Sequence, residues 1–160
     1  MVSKILEFYK KCSLIITDFR LEKESKKYDA CNFKLNDLSI ICRKSKITAK
    51  KAGQFVTFWK RNDSGIIEPF QENDDFDFFV VNVKSTHLFG QFVFPKSELI
   101  NQKIISTEKQ EGKRAFRVYP SWDLPESKQA ELTQKWQLNY FYEVSDSTSL
   151  TKVADLYETK

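Results

Sequence analysis

The sequence is poor in the residue types on which many catalytic and cofactor sites depend. A single histidine, His87, excludes histidine-rich metal sites, and we expect it to be an exposed turn residue. The three cysteines, Cys12, Cys31 and Cys42, are odd in number and contain no CxxC pair. This pattern predicts a reduced, cytoplasmic protein with neither a disulfide framework nor a zinc site. The four glycines are scattered, so the usual glycine-rich loops for ATP or dinucleotides are absent.

Long apolar runs are also missing. No run approaches the ~18 residues of a membrane-spanning helix, and the charged N-terminal segment does not resemble a secretory signal. We therefore expect no membrane insertion. Hydrophobic residues make up 41% of the 160 residues and include fourteen phenylalanines, enough for one sizeable core. We expect a single globular domain over residues 1–145 and a loosely ordered, serine- and threonine-rich tail over residues 146–160.

Charge is distributed unevenly along the chain. The formal net charge is +4, yet residues 1–61 hold 15 basic and 6 acidic residues, and residues 62–83 hold six acidic and no basic residues. Seven cations lie between Arg43 and Arg61 without an acid among them. Concentrated like charges repel one another unless an anion or a partner offsets them. The stretch therefore indicates either a solvated basic face or a surface for a polyanion, and the presence of Trp59 favours the latter.

Alternating apolar and polar residues predict a β-rich fold with a few helices. A helix is expected over residues 3–12, and residues 18–27 could form a helix or a loop. Another helix is expected from an N-cap at Asp123, with Leu132 and Trp136 on the face that packs against a sheet. The predicted strands are 30–35, 38–43, 54–61, 76–83, 91–95 and 114–119. The fold class is α+β or α/β, a mixed, largely antiparallel sheet flanked by helices.

Several segments together resemble one family. They include Lys46-Ile47-Thr48, Gly53-Gln54-Phe55-Val56-Thr57, Trp59-Lys60-Arg61, Asp77-Phe78-Phe79-Val80, Gly90-Gln91-Phe92-Val93-Phe94-Pro95-Lys96, Gly112-Lys113-Arg114-Ala115-Phe116-Arg117, Gln129-Ala130 and Thr133-Gln134-x-Trp136-Gln137. The set resembles the MepB family, bacterial proteins encoded beside a multidrug efflux pump and its repressor, from about Tyr28 to Val144. The resemblance implies a small cytosolic protein with a restriction-endonuclease-like core, and it leaves the function open.

A nuclease with such a core would need an acidic cluster for Mg²⁺ and a nearby lysine. Asp75 and Asp77 lie at the start of a predicted buried strand. The neighbouring predicted strands lack the Glu-x-Lys pattern that would complete the site. A divergent Mg²⁺-dependent nuclease is therefore one alternative, and the other is that Asp77 only bonds to backbone or to a lysine at the strand end.

Nucleic-acid binding requires less, because phosphates attract cations without strict spacing and aromatic rings stack on exposed bases. The candidate residues are Arg43, Lys46, Lys50, Lys51, Trp59, Lys60, Arg61, Lys96, Lys113, Arg114 and Arg117. No helix-turn-helix, zinc-finger or RNA-recognition signature is present, so we expect backbone-led binding with little sequence specificity. We expect DNA rather than RNA as the partner and no cofactor. A protein partner linked to drug efflux or its regulation is a further alternative.

Overall fold

The fold is built on a six-stranded sheet and a smaller three-stranded sheet. A computed structural model describes residues 2–158. The helices are α1 (Val2–Lys11), α2 (Lys96–Asn101), α3 (Lys128–Gln137) and α4 (Leu150–Leu156). The strands are β1 (Ile16–Leu21), β2 (Cys31–Leu35), β3 (Leu38–Lys44), β4 (Lys46–Ile47), β5 (Gln54–Thr57), β6 (Lys60–Arg61), β7 (Ile67–Glu68), β8 (Phe78–Lys84), β9 (Phe89–Pro95), β10 (Ala115–Val118) and β11 (Phe141–Glu143).

The large sheet has the strand order β1-β2-β3-β8-β9-β11. Only β3 and β8 run parallel, and the other neighbouring strands are antiparallel. The predicted hairpin forms at Asn36, whose φ of 54° suits an asparagine in a tight turn. The predicted fold class, a mixed and largely antiparallel sheet flanked by helices, is confirmed.

Helices α1 and α4 cover one face of the large sheet. Ile5 and Phe8 from α1 pack with Val153 and Leu156 from α4 in one buried cluster. The hydroxyls of Tyr9 and Tyr157 lie 2.6 Å apart within it, so these aromatic side chains satisfy their polar atoms while buried. Burial raises the pKa of the Tyr157 hydroxyl above its ordinary value.

The predicted loose tail is therefore wrong for most of its length. Ser149 caps α4 by accepting a hydrogen bond from the backbone of Lys152 at 3.2 Å, and the apolar side of the helix is buried. Residues 159 and 160 of the predicted tail lie outside the described residues.

The small sheet, with strand order β10-β5-β4, packs on the opposite face of the large sheet. Val56 and Phe58 are fully buried there. The Phe58 ring stacks on Phe79 with ring centroids 4.1 Å apart and on Phe70 at 4.4 Å. Phe55, Thr57 and Trp59 on the other side of the chain are only half-buried. The predicted strand 54–61 is divided, because β5 ends at Thr57 and β6 pairs with β7 in a separate two-stranded sheet.

Three further predictions of local structure are wrong. The expected helix or loop over 18–27 is wrong for residues 18–21, which belong to the edge strand β1 because this segment pairs with β2, while residues 22–27 form a loop and the start of a short 3₁₀ helix. Helix α3 is capped by Ser127 and not by Asp123, since the chain makes a turn at Pro120 and reaches the helix four residues later than expected. The predicted packing of Leu132 against a sheet is also wrong, because that side chain is 59% exposed, whereas Trp136 from the same predicted face packs against the core. No helix within residues 2–158 is long and apolar enough to cross a bilayer.

Candidate functional site

Four of the predicted binding residues line one open cleft. The cleft has a volume of about 770 Å³ and lies over β1, β2 and β3, where the small sheet no longer covers the large one. Arg43 lies in the cleft wall, and residues 59–61 and 74–76 close it from the other side. Its lining alternates in charge, because Arg20, Lys23 and Lys34 lie among acidic side chains.

Arg43 is enclosed by the protein. Its side chain is 1% exposed, and its guanidinium donates to the carbonyl oxygens of Thr57 at 2.9 Å and Trp59 at 3.1 Å. It also pairs with Glu22 at 3.3 Å. Burial lowers the pKa of Arg43, and the Glu22 carboxylate opposes that shift. Arg43 therefore fastens β3 to the chain after β5 and has little surface to offer a ligand.

The other cations of the cleft are paired as well. Arg61 holds Glu24 through two nitrogens, at 2.7 Å each. The guanidiniums of Arg43 and Arg61 lie 5.9 and 5.6 Å from the centre of the Trp59 ring. Lys60 Nζ lies 2.6 Å from Asp74 and 3.5 Å from Glu68. Partial burial lowers the pKa of Lys60, but the hydrogen bond and charge of Asp74 outweigh it and leave that pKa raised.

A second group of predicted residues meets on the small sheet. Lys46 on β4 is paired in register with Phe55 on β5, which is paired with Arg117 on β10, so the three lie in one row across the sheet. Arg117 donates to Thr48 Oγ1 at 2.5 Å and to the carbonyl of Ala52 at 3.2 Å. These bonds hold the turn that carries Lys50 and Lys51. Lys46, Lys50, Lys51 and Arg117 are called the basic patch below.

Aromatic rings lie beside the basic patch. The Lys46 ammonium lies 5.1 Å from the centre of the Tyr28 ring. The Tyr28 and Phe55 rings pack edge to face, with their centroids 6.4 Å apart. Both rings are half-buried. Sequence reasoning missed Tyr28 and Phe55, although the alternation in β5 placed Phe55 opposite the buried side, which was a usable signal.

The remaining predicted cations lie elsewhere. Lys96 donates to the backbone carbonyl of Asp74 and lies 5.2 Å from the Phe76 ring centre. Arg114 pairs with Glu111 at 2.9 Å on the surface, and Lys113 lines a groove beside α3. The structure thus divides the predicted site among several places and does not join it in one.

The acidic candidates do not form a cluster with each other. Asp75 is exposed at the cleft. Asp77 is half-buried and accepts a hydrogen bond from the Ser39 backbone at 2.8 Å, while its own N–H donates to the Ser39 carbonyl at 2.9 Å. Asp77 therefore joins the starts of β3 and β8. Within residues 2–158, no group of three or more His, Cys, Asp or Glu side chains is placed to hold a metal ion.

Comparison with known proteins identifies relatives. The crystal structure of MepB is similar to this chain, with a TM-score of 0.81 and 34% sequence identity, over 92% of this chain and 99% of that chain. A bacterial homing endonuclease is similar at a TM-score of 0.49 and 19% identity, over 85% of each chain, a level that says nothing about the activity of this chain. No curated protein matches it. A family model described as MepB-like matches residues 22–143, which is most of the sequence, and the chain therefore belongs to the MepB-like family.

Proposed function

We propose that the protein binds the phosphate backbone of DNA on the basic patch, with little sequence specificity. One observation carries the proposal. Among the described residues, Lys46, Lys50 and Lys51 form no ion pair, whereas Arg43, Lys60 and Arg61 each hold a carboxylate. The patch therefore brings together three predicted cations whose charge no ion pair of the described residues offsets.

Unpaired surface cations favour binding to a polyanion. A lysine that replaces condensed counterions on the phosphates releases them, and this release supports binding. A carboxylate-paired cation would first have to give up its partner. Tyr28 and Phe55 add ring faces next to the cations, and such rings contact bases of any identity. Cations and rings contact phosphates and base faces, not base edges, which accounts for the low sequence specificity.

The experiment compares two triple variants that lose the same charge. Lys46→Gln/Lys50→Gln/Lys51→Gln removes the lysines of the patch. Lys10→Gln/Lys11→Gln/Lys152→Gln removes exposed lysines from α1 and α4, on the opposite face of the large sheet. Binding is measured by fluorescence anisotropy with labelled single- and double-stranded 20-mers of DNA at two salt concentrations.

We expect the wild-type protein to bind less tightly at the higher salt. The patch variant should lose on the order of tenfold in affinity at low salt, and its salt slope should fall by about 2 to 3. The control should bind nearly as the wild type does. Equal losses in both variants would contradict a localised site.

The same samples test the alternatives on a gel. DNA fragments that form with Mg²⁺ and not with EDTA would favour the Mg²⁺-dependent nuclease over simple binding. Cleavage by Asp75→Asn and Asp77→Asn would then show whether either carboxylate is required. An absence of binding at both salt concentrations would overturn the proposal and leave a protein partner as the leading explanation for the basic patch.

A further inference from the structure

A groove of about 420 Å³ runs along the outer edge of β10, beside α3. On the inner edge, the N–H of Phe58 donates to the carbonyl of Arg114 at 2.8 Å, and Phe116 is paired with Val56 two residues later. Backbone groups of an antiparallel strand alternate between its two edges. Ala115, Arg117 and Tyr119 therefore direct their N–H and C=O groups towards the groove.

Both ends of this edge are already occupied. At the start, the Ile104 carbonyl accepts from the N–H of Lys113 at 2.9 Å. At the end, the side-chain amide of Gln137 donates to the Arg117 carbonyl at 2.9 Å and accepts from the N–H of Tyr119 at 2.8 Å. Gln137 is fully buried, so a single carboxamide takes the place of a neighbouring strand there.

Three backbone groups remain between these two ends, the N–H and C=O of Ala115 and the N–H of Arg117. The N–H of Arg117 and the C=O of Ala115 flank Phe116 in the same way that the pair bound by Gln137 flanks Val118. Nothing within residues 2–158 forms a hydrogen bond to either group, and both residues line the groove. Backbone groups of this kind gain from a partner that carries an N–H next to an acceptor.

The length of the unpaired β10 edge and the charge of the groove indicate which kind of partner would fit. Because the free edge spans only residues 115 to 117 and is closed on both sides, it is too short for the several residue pairs of an added strand. A single planar group can enter. Lys113 and Arg117 line the groove, no carboxylate from the described part of the chain does, and Trp136 supplies an aromatic wall. These features suit a heterocyclic base attached to phosphates.

We infer that the groove holds one unpaired nucleobase of a single-stranded segment whose phosphates lie on the basic patch. The inference rests on the proposed function, and Arg117 joins the two surfaces because it belongs to both. Each of the four bases has an N–H beside an acceptor on its Watson–Crick edge, which is the edge that proteins read in an extruded base. The groove therefore accepts any base and prefers single strands to duplex.

The test fills the groove from α3. Ala130 is half-buried and lines the groove, so Ala130→Trp places a large ring in it. Leu132→Trp is the matched control, since Leu132 lies two residues further on and is 59% exposed, outside the groove. The probes are a 12-nucleotide oligothymidylate and a 12-unit abasic chain with the same phosphates.

We expect the wild-type protein and Leu132→Trp to bind oligothymidylate roughly tenfold tighter than the abasic chain. Ala130→Trp should lose that preference and keep its affinity for the abasic chain. Equal wild-type binding of both probes would overturn the base site and leave the phosphate proposal standing. An absence of binding to either probe would overturn both proposals.

A second measurement covers the case in which Ala130→Trp does not fold. Saturating thymidine monophosphate, added to the ¹⁵N-labelled wild-type protein, should shift the Arg117 amide resonance downfield, because a hydrogen bond to the base deshields that proton. The Tyr119 amide, which Gln137 already binds, should move little. An unchanged Arg117 resonance would overturn the site.

Discussion

The cleft and the basic patch draw most of their predicted cations from the same acid-free stretch, yet they differ in whether those cations are already paired with carboxylates. Arg43 and Lys46 are three residues apart. Arg43 is buried against Glu22, and Lys46 lies on the surface against the Tyr28 ring. The acids that neutralise the cleft come from distant parts of the chain, Glu22 and Glu24 before the stretch and Asp74 after it. Cation density along a sequence therefore does not predict which cations are available.

The largest expected difference in stability is between variants of the two arginines that contact the Trp59 ring. Arg43→Met should lower the free energy of unfolding by about 3 kcal/mol, because it leaves Glu22 and two backbone carbonyls without their donor. Arg61→Met removes an exposed ion pair and should cost less than about 1 kcal/mol. Urea unfolding followed by circular dichroism measures both.

Because each guanidinium contacts the Trp59 ring at a similar distance, loss of that contact is common to the two arginine variants. Similar unfolding free energies for Arg43→Met and Arg61→Met would show that the burial and hydrogen bonds of Arg43 contribute little to the stability of the fold. The structural role assigned to the cleft arginine would then be wrong.

A smaller effect compares one lysine from each region. Lys46→Gln should weaken binding to DNA several-fold and reduce its salt slope by about 1, with no change in stability. Lys60→Gln should leave DNA affinity unchanged and cost at most about 1 kcal/mol in unfolding free energy, since its pairs with Asp74 and Glu68 are partly exposed. Anisotropy measures the DNA affinity of both variants, and urea titration measures their unfolding free energy. If Lys60→Gln weakened DNA binding and Lys46→Gln did not, the binding role would belong to the cleft.

Local patterns in the sequence were sufficient for the parts of the fold that have strong periodicity. The apolar segment that contains Val56 forms β5, and the predicted hairpin at Asn36 forms the β2–β3 turn. Helix α4 was missed because serine and threonine dominate the composition around it. A positional signal existed there, because Ser149 precedes Val153 and Leu156 at helical spacing, and those two side chains are buried.

The candidate site was less predictable for a physical reason. Ion pairs and edge contacts join residues far apart in the chain, so a sequence pattern could select the cations and could not divide them into paired and unpaired ones. Gln137 is a further case. A glutamine on a helix ordinarily faces solvent. Its burial follows only from the unpaired edge of β10, which exists once Arg117 and Tyr119 have been placed.

The smallest expected effect is a gain in DNA affinity when a cleft cation loses its carboxylate partner. It tests directly whether ion pairing distinguishes the cleft from the basic patch. Glu24→Gln frees Arg61 from its carboxylate at an exposed position, so the fold should be unaffected. If ion pairing is what keeps the cleft cations from binding DNA, this variant should gain about twofold in affinity at low salt and lose the gain at high salt, as screening shortens the reach of the charge. The control is Glu111→Gln, which frees Arg114 away from the cleft. An equal gain in both variants would point to net charge alone, and no gain in Glu24→Gln would place the bound DNA out of reach of the cleft.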